Sequence, residues 1–337
     1  MPTATPLHTS PLSLPPETYI YSLLPLSPPP TPLLAAISSD NSLRFVDPHT
    51  LTEIPDGVFE DVHEGDGGVT CLANEEGEGS GGLVFTAGRD GVIRGWDGRV
   101  RGGKIGEWRD VTPHTLLSGS TDGLLNIYDL RQPEEDALIQ IINHGHSIHH
   151  AEFLSEREFF GLSHDEDLSV YGIDEEGGGE EGREDRGLMT AFGDLRARLG
   201  CEYVVDVIPP MVGGGGGNSI VGAGSHTKQQ LELVSLRPVR GKGAQSWEFG
   251  APETLIRLPG AHGEEIVRSM CCFDNKKDTI FTAGEDGKIR AWQMDGRGRD
   301  DDIKMEMEGI EGETLKKKKK KRNSMDVGEK KGRYKPY

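Results

Sequence analysis

Little in this chain is equipped for covalent or redox chemistry. Its 337 residues include four cysteines, Cys71, Cys201, Cys271 and Cys272, and none has the spacing of a metal clip or redox pair. Adjacent Cys271 and Cys272 would project to opposite faces of a strand, where they cannot readily bridge. Sparse, unpatterned cysteine is an intracellular signature. Aromatic residues are scarce at 6 % and hydrophobic residues reach only 34 %. No apolar run approaches the roughly 18 residues of a membrane span. Residues 1–16 are rich in Pro, Ser and Thr and lack the basic start and apolar block of a secretory signal. The expectation is a soluble, intracellular chain.

Glycine is abundant, with 47 residues, and part of it recurs in register. Ala87-Gly88-Arg89-Asp90-Gly91-Val92-Ile93-Arg94-Gly95-Trp96 is nearly rewritten as Ala283-Gly284-Glu285-Asp286-Gly287-Lys288-Ile289-Arg290-Ala291-Trp292. Between them stands Gly119-Ser120-Thr121-Asp122-Gly123-Leu124-Leu125-Asn126-Ile127-Tyr128. In all three, the aromatic residue follows the Asp by six positions, and Thr86, Ser118 or Thr282 precedes it by four. Asp-Gly between alternating apolar runs predicts a tight hairpin, and its recurrence predicts a repeat architecture.

These residues resemble the WD40-repeat family of β-propellers. The resemblance implies an all-β fold in which each blade holds a buried network of an upstream His, a strand Ser or Thr, the turn Asp and the Trp. Residue by residue this falls on His63, Thr86, Asp90 and Trp96, and on His262, Thr282, Asp286 and Trp292. In the middle copy, Ser118, Asp122 and Tyr128 take the corresponding places. Such residues are structural, since a buried Asp and His must be hydrogen-bonded and a closed network stiffens its blade. Weaker copies occupy residues 38–47, residues 163–171 after Gly145-His146, and residues 220–236, where no turn Asp is present. The order of residues 117–124, 193–206 and a Lys-rich tail is similar to the WD repeat-containing protein 89 family.

The reading is therefore a WD40 β-propeller of six recognisable blades across residues 18–310, preceded by a Pro/Ser/Thr-rich extension over 1–17. One interval is short. Asp90 and Asp122 are 32 residues apart, against 50 for Asp40 to Asp90, and a four-stranded blade takes about 40–45. Only residues 104–108 read as a strand there, so seven blades are expected of the parent fold if a segment near 97–116 is missing. The closing strand is sought in residues 19–24 or in the alternation of Ile303, Met305 and Met307. An acidic insert at 174–187 and a Gly-rich insert at 213–218 are too polar to order themselves.

Net charge is −19, and it is divided. Residues 303–337 hold 12 Lys/Arg against 6 Asp/Glu, leaving −25 on residues 1–302. An acidic ring repels phosphate backbones, which leaves any direct nucleic-acid contact to the tail. Within the tail of residues 311–337, Lys316, Lys317, Lys318, Lys319, Lys320, Lys321 and Arg322 form an unbroken basic run, expected to be disordered and to act in nuclear import. The localisation expected is the nucleus, including the nucleolus, with the cytoplasm as alternative.

Catalytic and metal constellations are missing from the sequence. The stretch His144-Gly145-His146-Ser147-Ile148-His149-His150 lacks companion ligands at zinc spacing, and Gly213 to Gly217 lack the Lys and Ser/Thr of a phosphate loop. No enzyme activity, metal or cofactor is expected. Two functions compete: an interaction scaffold for basic nuclear or ribosomal clients, and a substrate receptor of a cullin-type ubiquitin ligase. The second rests on Trp96-Asp97-Gly98-Arg99 and Tyr128-Asp129-Leu130-Arg131, with Arg99 and Arg131 as adaptor contacts.

Overall fold

The repeated Asp-Gly pairs make the turns their residues dictate. Gly91, Gly123 and Gly287 adopt φ of 71°, 88° and 67°, where a β-carbon is penalised. In the weaker copies Asn41 and Glu166 take the same left-handed conformation after Asp40 and Asp165, at φ 62° and 65°. The turn thus survives loss of its glycine.

The computed structural model describes residues 2–27, 31–64, 68–74, 83–97, 104–107, 115–133, 135–173, 188–210, 218–239, 246–250, 256–273 and 278–294. After β1 (Thr5–Thr9), the first blade comprises β2 (Ile20–Leu26), β3 (Leu33–Ser38), β4 (Ser42–Val46) and β5 (Glu53–Phe59). The second comprises β6 (Val69–Asn74), β7 (Leu83–Gly88), β8 (Ile93–Asp97) and β9 (Lys104–Glu107). Three strands make the third: β10 (Thr115–Gly119), β11 (Leu124–Asp129) and β12 (Leu138–Asn143). The fourth comprises β13 (Ile148–Ser155), β14 (Glu158–Ser163), β15 (Asp167–Gly172) and β16 (Leu188–Asp194). A single-turn helix, α1 (Leu195–Leu199), starts where the Asp194 carboxylate accepts the Arg196 amide and ends at left-handed Gly200. The fifth blade holds β17 (Tyr203–Ile208), β18 (Ser219–Ser225), β19 (Gln230–Val239) and β20 (Ser246–Phe249), with β21 (Ile256–Pro259) on the first half of β19. The sixth holds β22 (Val267–Cys271), β23 (Thr279–Gly284) and β24 (Ile289–Gln293). The architecture is an all-β propeller of six blades.

Closure corrects the sequence reading. β1 pairs antiparallel with β24, setting Thr5 opposite Gln293 and Thr9 opposite Arg290. It supplies the fourth strand of the last blade, anchored by Ile289 N donating to Ser10 Oγ at 2.9 Å and Lys288 Nζ donating to Leu12 O at 2.7 Å. Residues 5–9 thus lie within the propeller and not in an extension outside it. Of residues 19–24, all but Tyr19 instead belong to the inner strand of the first blade, while Ile303, Met305 and Met307 lie outside the described residues. The physical reason is that pairing both chain ends in one sheet removes an open edge without any demand on hydrophobic sequence. The exposed, Pro-containing Thr5–Thr9 therefore carried no apolar signal.

Buried side chains gather where blades meet. One cluster joins the sixth and first blades through Ile20, Leu34, Phe273 and Phe281, and another joins the first and second through Phe45, Val84 and Trp96. Further clusters join the third to the fourth, the fourth to the fifth and the fifth to the sixth. Among the described residues, no such cluster joins the second blade to the third. Cys271 and Cys272 form no disulfide and pack into different clusters, consistent with opposite strand faces.

Candidate functional site

In the second blade, the turn and strands bring four distant residues into one buried knot. His63 Nδ1 lies 2.9 Å from Asp90 Oδ1, and its Nε2 lies 2.9 Å from Thr86 Oγ1. Trp96 Nε1 donates to the same Thr86 Oγ1 at 2.9 Å. The sixth blade repeats this: His262 Nδ1 to Asp286 at 2.6 Å, His262 Nε2 to Thr282 at 2.9 Å, and Trp292 Nε1 donating to Thr282 at 3.0 Å. Because indole can only donate, the Thr hydroxyl accepts from Trp while it also meets His Nε2. The other ring nitrogen meets the Asp carboxylate, so in each knot both imidazole nitrogens have a partner.

A fifth member escaped the sequence reading. Arg94 Nη1 donates to Asp90 Oδ2 at 2.6 Å, and Arg290 Nη1 lies 2.6 Å from Asp286 Oδ2 as an ion pair without hydrogen-bond alignment. Arg44 pairs with Asp40 at 3.1 Å in the first blade. The signal was present, since Arg stands four positions after the turn Asp in three copies. Burial pushes Asp90 and Asp286 upward, but hydrogen bonds and ion pairs from the Arg and His outweigh it and hold both below the usual carboxylate range. His262 is pushed down by burial, against the opposing pull of Asp286.

The third and fourth copies are only partly assembled. Asp122 caps its own turn, accepting the Leu124 amide at 3.0 Å, and no hydrogen bond joins it to Ser118 or Tyr128 among the described residues. In the fourth blade the role of one histidine is divided between two. Buried His144 bonds the Tyr171 hydroxyl through Nδ1 at 2.8 Å, while exposed His146 meets Asp165 at 3.0 Å. Of the expected adaptor contacts, Arg99 lies outside the described residues. Arg131 is exposed, but its guanidinium folds back on Asp129 in a fork of two 2.8 Å hydrogen bonds. Lys316 to Arg322 also lie outside the described residues.

Inner strands β13 and β17 bring together a charged cluster that sequence spacing did not join. His150 bonds Asp206 through Nδ1, and its Nε2 lies 3.9 Å from Glu152. Burial pulls His150 down, yet the two carboxylates raise it to about 9. Neighbouring His149, exposed on its strand, stacks on His164 with ring centroids 5.0 Å apart. Each histidine of the His-rich stretch thus has a different protein partner, and no group of three metal-type ligands converges among the described residues.

The two complete knots coincide with the family matches. Residues 57–97 and 253–293 match the model of the WD domain, G-beta repeat. Together with the six sheets, this defines the class: a six-bladed β-propeller carrying WD40 repeats. The chain is 34 % identical over 210 residues to an uncharacterized WD repeat-containing protein of Saccharomyces cerevisiae, covering 60 % of this chain and 49 % of that one. A second uncharacterized WD repeat-containing protein, from Schizosaccharomyces pombe, is 28 % identical over 218 residues, covering 59 % and 61 %. The chain therefore spans about half to three fifths of these curated relatives. By structure it is similar to the Cps50 (Swd1) β-propeller domain of Myceliophteria thermophila, with a TM-score of 0.53, 13 % identity, and coverage of 87 % of this chain and 100 % of that domain. That likeness is one of fold.

Proposed function

We propose that the chain is a non-enzymatic interaction scaffold that works in the nucleus and holds basic protein clients. WD40 propellers are typical protein-interaction scaffolds, and in them chemistry of recognition resides on loops and rims while the blades supply rigidity. The observation that carries the client class is the division of charge: −25 on residues 1–302 beside a run of seven basic residues in the tail. An acidic surface speeds encounter with basic partners, and buried anchors then set the affinity. The basic run is read as the import signal. The similarity to the WD repeat-containing protein 89 family fits this reading and adds no partner.

Affinity capture from nuclear extract with the full chain tests it. Ribosomal proteins or histones should be recovered at low salt and fall off as salt rises; a salt-insensitive set of acidic partners would overturn the reading. Replacing Lys316 to Arg322 by Ala in the full chain should move a fluorescent fusion out of the nucleus. The ligase-receptor reading stands second, because Arg131 is already engaged by Asp129. Unchanged adaptor capture by Arg99→Ala/Arg131→Ala would remove it.

A further inference from the structure

Sheet edges are the natural place for an extended peptide to add, and proteins ordinarily guard them with charge, proline, glycine or irregular backbone. Four of the other blades here do so on their outer strand. β5 carries Glu53, Pro55 and Asp56; β16 carries Gly193 and Asp194; β20 carries Glu248; and β1 carries Pro6 and His8. The outer strand of the third blade is different. β12 reads Leu138-Ile139-Gln140-Ile141-Ile142-Asn143, with no charge, proline or glycine, and among the described residues it pairs with nothing beyond β11. Leu138, Ile139 and Ile141 are 44 %, 45 % and 53 % exposed. Its register shift at Ile139, which has no partner on β11, is matched in kind by shifts at β1, β5, β9 and β16, so irregular backbone does not set β12 apart, whereas its lack of charge, proline and glycine does.

We infer that β12 is a docking edge for an extended segment of a basic protein, which adds antiparallel to it as an extra strand on the outer edge of the third blade. Backbone pairing would supply the register, and alternate apolar side chains would cover Ile139 and Ile141. Exposed Glu135 and Asp136 immediately precede the strand, so an antiparallel guest brings its C-terminal end beside them. That end should carry Lys or Arg. The same charge argues against a second copy as the occupant, because two chains of net charge −19 repel. The inference rests on the basic-client reading and names where such a client is held.

The test uses the full chain and fluorescent octapeptide probes read by anisotropy. The first probe alternates Thr with Val and Ile and ends in Lys-Lys; a second moves the Lys pair to the N-terminus. A third replaces Lys by Ser, and a fourth is the first with alternate backbone amides N-methylated. The first probe should bind at least tenfold more tightly than each of the others. Ile141→Lys, which adds the missing edge guard at an exposed position, should weaken it at least tenfold with unchanged circular dichroism. Equal binding by the N-methylated probe or by the Ile141→Lys chain would overturn the edge while leaving a charge-driven client surface intact. Equal binding by the Ser probe would overturn the basic guest, and with it the client reading. No binding up to about 1 mM, or a dimer in sedimentation that Ile141→Lys dissolves, would also overturn the inference.

Discussion

Thr282 is the residue on which the sixth blade's network converges. Its hydroxyl satisfies both the Trp292 indole and the His262 imidazole, and it is fully buried. Thr282→Val keeps the shape but leaves two buried polar groups unmet. It is expected to lower unfolding free energy by about 2–4 kcal/mol, read from the urea midpoint. Ser118→Ala, in the copy without a network, should cost less than about 1 kcal/mol; equal losses would show that the network does not stabilise its blade. Titration adds a second residue-scale prediction. His262 is lowered in the folded state, so the unfolded chain takes up its proton first and stability falls as pH drops below about 6.5. Asp90 and Asp286, also lowered, add a loss below about 3.8. His150 works in the opposite sense: raised to about 9, its contribution is complete below about 6.5 and lost as pH rises through about 9. Melting temperature should therefore peak near pH 6.5, and His150→Gln should flatten the alkaline limb.

At the scale of elements, closure rests on one short strand. β1 covers the β24 edge that Trp292 occupies, although its own five residues are exposed. Its contribution comes from backbone pairing and from protecting the edge, not from buried side chains. Removing residues 1–10 should lower the melting temperature by several degrees and expose the sixth blade to proteolysis. A synthetic peptide of residues 2–10 should restore both, since an antiparallel strand needs no covalent link to pair. No effect of the deletion on either readout would mean that closure is dispensable.

At the scale of the whole molecule, the described residues show one discontinuity between blades. Buried clusters join every neighbouring pair of blades except the second and third among the described residues. Regions with few buried apolar contacts open first, because local unfolding there exposes less surface. Amides of β6 to β8 and β10 to β12 should exchange hydrogen sooner than those of β17 to β19 under native conditions. Limited proteolysis should first cut within the second or third blade. Uniform protection around the ring would contradict this.

Much of the fold was legible because hairpin chemistry is local. Asp-Gly demands a turn, six further residues complete a strand, and an aromatic residue at the end marks the blade. The two full networks were readable for the same reason, whereas the middle one expected of Ser118, Asp122 and Tyr128 is not joined among the described residues. Arg94 and Arg290 were visible at a fixed offset but look like ordinary solvated charges until burial pairs them with Asp. The His150–Asp206 contact had no sequence signal, since it links different blades across 56 residues. Sequence by itself thus determined the repeat, the turns and the division of charge, all of which depend on neighbours along the chain. Tertiary structure alone decided which end closes the ring, which histidine finds which carboxylate, and that β12 is left as an unguarded edge. Those outcomes depend on which strands meet in space, and pairing between distant strands leaves no periodic trace in the residues that make it.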